Sequence, residues 1–270
     1  MSNPALSFDI DKFTGRYKEA QRLALQASLL PSQPIWKTAG LTDGMTVVDL
    51  GCGPSAHTLE LARETPTGKV IGIDASEYLL AEAQRQVSAS GLSNIELMHA
   101  DAATLPLSDG SVDFVWARLL VQHLRAPQHA LEEAHRALKP GGRICLVDTD
   151  RETFLIHPQP RGWSELVRFL IARQAVSGGD GTAGRKLGTR LHQAGFVDVN
   201  VELHGTSWTG AKLATVMNDL WIPAMRHAPF PEGMRDSVDA LFAEMAVIAA
   251  EPGAYMHWGW FVAMGVKGMG

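Results

Sequence analysis

Only two cysteines, Cys52 and Cys145, occur in the 270 residues, one between glycines and one in an apolar run. That scarcity argues against a disulfide scaffold and against a thiolate zinc site, and no other metal-ligand spacing stands out. No apolar stretch approaches the roughly 20 residues that span a bilayer. Residues 1–12 carry Asp9 and Asp11 where a leader would be basic and then apolar. A long basic run is missing too: 24 Lys and Arg stand against 29 Asp and Glu, for a net charge of −5. Phosphate backbones need clustered cations, so no nucleic acid is expected as the main partner. Repeats and low-complexity segments are absent. The remaining composition, 46% apolar and 20% charged, is that of a globular chain, expected to be soluble and cytoplasmic with no membrane partner.

What is present is organised around Thr46-Val47-Val48-Asp49-Leu50-Gly51-Cys52-Gly53-Pro54-Ser55-Ala56. Val47 and Val48 are β-branched strand formers, and Asp49 interrupts the apolar run. Gly51 and Gly53 permit a tight turn and the close approach of a ligand. Ser55 is placed to cap a helix over Ala56–Glu64, so a helix N-terminus faces the turn. Strands and helices then alternate. A strand over 70–74 ends in Asp74, a helix covers Glu77–Ser90, and a strand over Ile95–His99 closes at Asp101. A strand over 112–117, a helix over 127–138, a turn at Lys139-Pro140-Gly141-Gly142 and a strand over 143–148 follow. This rhythm implies a parallel, doubly wound sheet with right-handed crossovers.

Upstream, residues 8–30 carry apolar positions at helical spacing until Pro31 and Pro34, with a short helix over 34–39. Downstream the rhythm changes. Helices are expected over 161–176 and 185–194, a strand over 196–203, a helical excursion over 211–250 and a last strand over 254–267 that pairs antiparallel with its predecessor. The expected fold is α/β: a doubly wound, mostly parallel seven-stranded sheet with an antiparallel last strand and a helical substrate cap. The expected layout is an N-terminal helical cap at 1–45, a ligand-binding core at 46–150, and completion of the sheet with cap insertions at 151–270.

Two ligands suit a glycine turn after a strand. Gly51-x-Gly53-x-x-Ala56 with Asp74 downstream satisfies the loose dinucleotide fingerprint. Against it, Asp49 stands where that pattern keeps an apolar residue, and an acid there meets an ammonium better than a pyrophosphate.

Four segments, Val47 to Gly53, Gly72-Ile73-Asp74, Ala100-Asp101-Ala102 and Leu138-Lys139-Pro140-Gly141-Gly142-Arg143, together resemble the class I S-adenosylmethionine-dependent methyltransferases. The resemblance covers roughly residues 45–150 and fades beyond them. It implies a Rossmann-like core, S-adenosyl-L-methionine as cofactor and S-adenosyl-L-homocysteine as product. It implies that Asp49 and the backbone of Gly51, Cys52 and Gly53 hold the methionine portion, and that Asp74 takes both ribose hydroxyls. Ala75 and Ser76 would flank the adenosine. Asp101 would accept from the adenine amino group, with the amide of Ala102 on a ring nitrogen, and Arg118 would line the methionine end. Tyr17 would cover the ligand, or else pack as a core aromatic. Ser55 replaces a third glycine common in this motif and is expected to start the helix without strain.

His123, after the fourth strand, is the candidate base, with Asp148 orienting its ring. This is similar to small-molecule and sugar O-methyltransferases, some of which carry two histidines where this chain has Gln122 and His123. The plainer alternative is a histidine that caps its loop. Phe154, His157, Trp163, Met217, Trp221 and Trp258 are candidates to line the substrate cavity. The expected function is methylation, at oxygen first, of a small apolar or aromatic molecule. N- or C-methylation, an NAD(P)-dependent oxidoreductase and a non-catalytic nucleotide-binding protein are the alternatives.

Overall fold

The computed structural model of the protein describes residues 22, 23, 25–27, 33–226 and 230–269. Strands β1 (Thr46–Leu50), β2 (Lys69–Asp74), β3 (Ile95–His99), β4 (Val112–Arg118) and β5 (Leu138–Thr149) pair in parallel in the order β3-β2-β1-β4-β5. The long final strand β8 (Tyr255–Lys267) runs antiparallel between β5 and β7 (Phe196–Thr209). A short strand β6 (Leu155–His157) joins β8 beyond the end of β5. The sheet is therefore mostly parallel with an antiparallel last strand, as expected, but it has eight strands. The extra one, β6, spans three residues, too few to leave a periodic trace.

Both faces of the sheet are buried, and the alternation of each strand assigns its residues to them. Val47, Phe114, Trp116, Cys145 and Val147 belong to one core cluster; Val48, Val115, Ala117, Ile144 and Leu146 belong to the other. The second cluster is closed by Ala130, Leu131 and Ala134 of α4 (Pro127–Ala137) and by Leu187 and Leu191 of α6 (Leu187–Gln193). The first takes in Trp36 of α1 (Gln33–Thr38), Leu61 of α2 (Ala56–Glu64), and Leu166 and Leu170 of α5 (Trp163–Val176). Helix α3 (Glu77–Ser90) buries Leu79, Ala83 and Val87.

The excursion after β7 folds as α7 (Gly210–Thr215), a π-helical stretch Val216–Trp221, α8 (Ile222–Arg226) and α9 (Glu232–Ile248). Phe242 and Met245 of α9 share the first cluster with Phe154 and Trp258, so the cap and the sheet face have a common core. Residues 22–23 and 25–27 are helical; Tyr17 lies outside the described residues. No helix of the described residues is long and apolar enough to cross a membrane.

Lys139-Pro140-Gly141-Gly142 does not form a free turn. Helix α4 ends at Ala137 and β5 starts at once, with Leu138 opposite Val112 and Arg143 opposite Phe114. Residues 139–142 therefore bulge opposite Asp113 alone, with Gly141 at φ +77°. Strand β7 extends to Thr209, because β8 offers it a partner along its length.

Candidate active site

At the carboxyl end of β1 the chain turns through Gly51 (φ +75°) and Gly53 (φ +53°). The amides of Gly51 and Cys52 both donate to Ile73 O, at 2.8 and 3.0 Å, which ties the turn to β2. Gly53 N donates to Asp74 Oδ2 at 2.9 Å, and Ser76 N donates to Asp74 Oδ1 at 2.8 Å. Each carboxylate oxygen thus takes one backbone donor and keeps acceptor capacity for a ligand. A Cβ at Gly51 would collide with Leu120 Cδ1 at 2.9 Å, whereas one at Gly53 would meet nothing within 4 Å. Gly53 therefore faces open space. Asp49 is 3% exposed, and Thr58 Oγ1 donates to its Oδ2 at 2.6 Å. Burial pushes the Asp49 carboxyl up to about 7, against the Thr58 bond; the charge of Asp74 adds to the rise and Arg118 opposes it. Burial also raises Asp74, against the amides of Ser76 and Gly53.

These groups line a cavity of about 410 Å³ that continues across the ends of β4 and β5. Ala75, Ser76, Asp101 and Ala102 line it beyond Asp74. Ser76 caps α3, its Oγ accepting from Leu79 N at 3.2 Å, and Asp101 Oδ1 accepts from Ala103 N at 2.9 Å. Arg118, whose Nη1 donates to His57 Nε2, ends β4, and Leu119 follows it at φ +51°. A leucine in the left-handed region is strained, and such strain concentrates at functional turns. Burial first, then the charges of Arg151 and Arg22, bring His123 down to about 3, so its imidazole is neutral. Phe154, Trp221 and Trp258 wall the cavity from the cap side. Phe154 meets the two tryptophans edge-on at centroid distances of 4.6 and 5.3 Å.

A family model described as "methyltransferase domain" matches residues 41–194, more than half of the chain. The chain belongs to the class I S-adenosylmethionine-dependent methyltransferases. It is 30% identical over 192 residues to the demethylmenaquinone methyltransferase of Lactococcus lactis, covering 66% of this chain and 76% of that protein. It is 35% identical over 113 residues to the enzyme of the same name from Bacillus cytotoxicus, covering 42% of this chain and 48% of that one. The match thus spans about half the length of several of the curated relatives, 44% and 50% in two further cases. The Haemonchus contortus phosphoethanolamine N-methyltransferase 2, solved with phosphomonomethylethanolamine and S-adenosylhomocysteine, shares the fold. That comparison has a TM-score of 0.63 at 19% identity and covers 96% of this chain and 59% of that one.

The residues of this methyltransferase fit its cofactor. Ionisation of Asp49 is opposed by burial and by Asp74, so a cationic group beside it is favoured, and a sulfonium or an ammonium is such a group. Gly53 leaves room, and Asp74 offers two oxygens at the cavity wall. Cys52 fills the turn: it is 7% exposed, and burial raises its thiol well above the ordinary range.

Several expectations are corrected. Ser55 stands at the N-cap position of α2, yet its side chain makes no cap bond and its φ is +72°. The turn demands a left-handed residue there, which is why a glycine suits the position, and Ser55 Oγ is buried without a hydrogen-bond partner among the described residues. Asp148 is fully buried and does not line the cavity. Its Oδ2 accepts from Gln122 N at 2.9 Å and its Oδ1 from Thr149 N at 2.8 Å, so it holds the backbone that carries His123 instead of the ring. His157 sits on β6, stacked on Tyr255 at 5.6 Å. Trp163 lies behind Trp221, 6.2 Å between centroids, and Met217 is fully buried; none of these three lines the cavity.

The cavity also contains residues the motifs did not indicate: Arg22, His57, Gln122, Arg151, Arg173 and Gln174. Arg151 had a signal, since it follows β5 at the ligand-facing edge of a parallel sheet. Arg173 and Gln174 had none, because polar residues near a helix end ordinarily face water.

Proposed function

We propose that this methyltransferase transfers the methyl group of S-adenosylmethionine to a small molecule with an apolar or aromatic body, at a hydroxyl oxygen. The observation that carries this reading is one cavity lined both by Asp49, Gly53 and Asp74 and by His123, Phe154, Trp221 and Trp258. When bound, the cofactor supplies an electrophilic methyl on a positively charged sulfur. Asp74 orients the nucleoside portion, the Gly51–Gly53 turn backs the methionine portion, and Asp49 sets a negative charge near the cationic portion. Asp101 and Ala102 meet the adenine. Arg118 lines the methionine end, held by His57. The aromatic wall excludes water and seats the acceptor's apolar face, so alignment is the main contribution of the protein. His123, neutral by virtue of its surroundings, accepts a hydrogen bond from the acceptor hydroxyl. Asp148 is a positioning residue for the loop that presents it.

The relatives named demethylmenaquinone methyltransferase support a quinone-related, apolar acceptor. A second reading, transfer to carbon or nitrogen, is favoured by one observation: a histidine held at about 3 is a weak base, and such acceptors need none. Thermal shift with S-adenosylmethionine against NAD(P), followed by product release with paired phenol and amine panels, tests both. Stabilisation by NAD(P) alone overturns the methyltransferase reading. Turnover of amines with none of phenols replaces the first acceptor with the second.

A further inference from the structure

The acceptor side of the cavity holds two arginines that the transfer of a methyl group to a neutral molecule does not require. Arg151 opens the turn after β5, and Arg173 lies in the last turn of α5; both line the cavity. Arg151 is held by a buried polar chain. Its Nε donates to Gln174 Oε1 at 3.0 Å; Gln174 Nε2 donates to Gln122 O at 2.9 Å; Gln122 N donates to Asp148 Oδ2 at 2.9 Å. That chain fixes the guanidinium by one nitrogen, and among the described residues no acceptor takes a bond from Nη1 or Nη2. Neither Arg151 nor Arg173 forms an ion pair with a described carboxylate.

The charges around Arg151 make this arrangement costly. Burial first, then the charge of Arg173, bring Arg151 down to about 10; Asp148 opposes the fall and Arg22 adds to it. Burial alone lowers Arg173. Asp148, the carboxylate that opposes the fall at Arg151, is itself pushed up to about 7 by burial and is occupied by backbone amides. Two partly desolvated cations that line one cavity and repel each other, with donor nitrogens to spare, are stabilised by an anion that both can reach. A guanidinium fork matches two oxygens of a carboxylate or phosphate. Phe154, Trp221 and Trp258 line the same cavity.

We propose that Arg151 and Arg173 form an anion subsite for the methyl acceptor, which is an amphipathic organic anion with its carboxylate or phosphate on this pair and its apolar body on the aromatic wall. The proposal rests on the methyltransferase reading and adds to it the charge of the substrate.

The test uses the protein saturated with S-adenosylhomocysteine and four probes of one shape: naphthoate, naphthyl phosphate, naphthamide and naphthol. Calorimetry is expected to show naphthoate or naphthyl phosphate binding about tenfold more tightly than the uncharged pair, the value of one charge-assisted hydrogen bond. The preferred anion identifies carboxylate or phosphate as the source. Arg173→Gln and the conservative Arg151→Lys are each expected to remove most of that preference, with the dissociation constant of S-adenosylhomocysteine unchanged. Arg173 is partly exposed, so its variant keeps the test open if changes at Arg151 disturb folding. If charged and uncharged probes bind alike, or none binds, the subsite is overturned while the methyltransferase reading stands. Should both variants weaken S-adenosylhomocysteine instead, the pair serves the cofactor and the proposal fails. Failure of the unaltered protein to bind S-adenosylhomocysteine overturns the methyltransferase reading itself.

Discussion

The two ends of the cavity are built on opposite principles. At the β1–β3 end, Asp49 and Asp74 stand at strand ends and Asp101 just past one, and Asp74 and Asp101 accept bonds from amides two residues away or from the neighbouring turn. At the β4–β5 end, Arg151, Arg173, His123 and the aromatic wall are assembled from elements as far apart as residues 123 and 258. Short side chains on tight turns can be positioned by local backbone geometry. Long cationic side chains need tertiary support, which Gln174 and Gln122 supply. One end is suited to a cation; with the proposed anion subsite at the other, the cavity would sort its two ligands by charge.

The sharpest way to break this comparison is to remove an acid from the first end. Asp74→Ala takes away the acceptor of Gly53 N and of Ser76 N and leaves both donors without it. Its expected effect is a loss of cofactor affinity of about 100-fold by calorimetry, from two charge-assisted bonds. A change under about threefold would mean that the turn holds the ligand without its carboxylate.

Asp49→Asn sharpens the comparison by giving two effects of opposite sign. The carboxyl moves from 3.8 to about 7 on folding, so the native state binds more protons than the unfolded one between those values. Stability is therefore lost as pH rises through that window, and asparagine escapes the loss. Free of ligand, the variant should melt at a higher temperature than the parent at pH 8, while its affinity for the cofactor falls about tenfold. A variant that is destabilised at pH 8 and binds normally would refute both halves.

At the other end, His123→Ala is expected to lower kcat for hydroxyl acceptors about tenfold, below the usual range for general-base loss, because its basicity is depressed. Cofactor affinity should not move. The unaltered enzyme should show no inflection from this histidine between pH 5 and 8. An unchanged kcat in the alanine variant would make His123 a loop residue only.

The smallest effect belongs to the turn itself. Ser55→Gly relieves a positive φ and deletes a buried unpaired hydroxyl, and should raise stability by about 1 kcal/mol, read as a small increase in Tm. A decrease in Tm would show that the side chain has a packing role.

Much of the first end was legible along the chain. Val47, Val48, Gly51, Gly53 and Asp74 lie within one strand–turn–helix–strand unit, and their chemistry is set by neighbours close in sequence. The misreading there, Ser55 as an unstrained cap, came from judging a residue by its type when the turn had already dictated a left-handed backbone. The second end was legible only in outline. Phe154, Trp221 and Trp258 were anticipated as lining, but Trp163 and Met217, of the same type and on similar helical stripes, pack behind them. Periodicity indicates that a face is buried without saying whether it is buried against protein or against a cavity.

The sequence by itself determined the alternation of strands and helices, the place of the glycine turn and the acids at the strand ends, because each follows from periodicity and local backbone preference. Tertiary structure alone decided that β8 would separate β5 from β7, that Asp148 would hold a loop instead of a ring, and that Arg151 and Arg173 would line one cavity. Those outcomes depend on which long-range surfaces meet, and burial and charge at such meetings have no periodic trace in the chain.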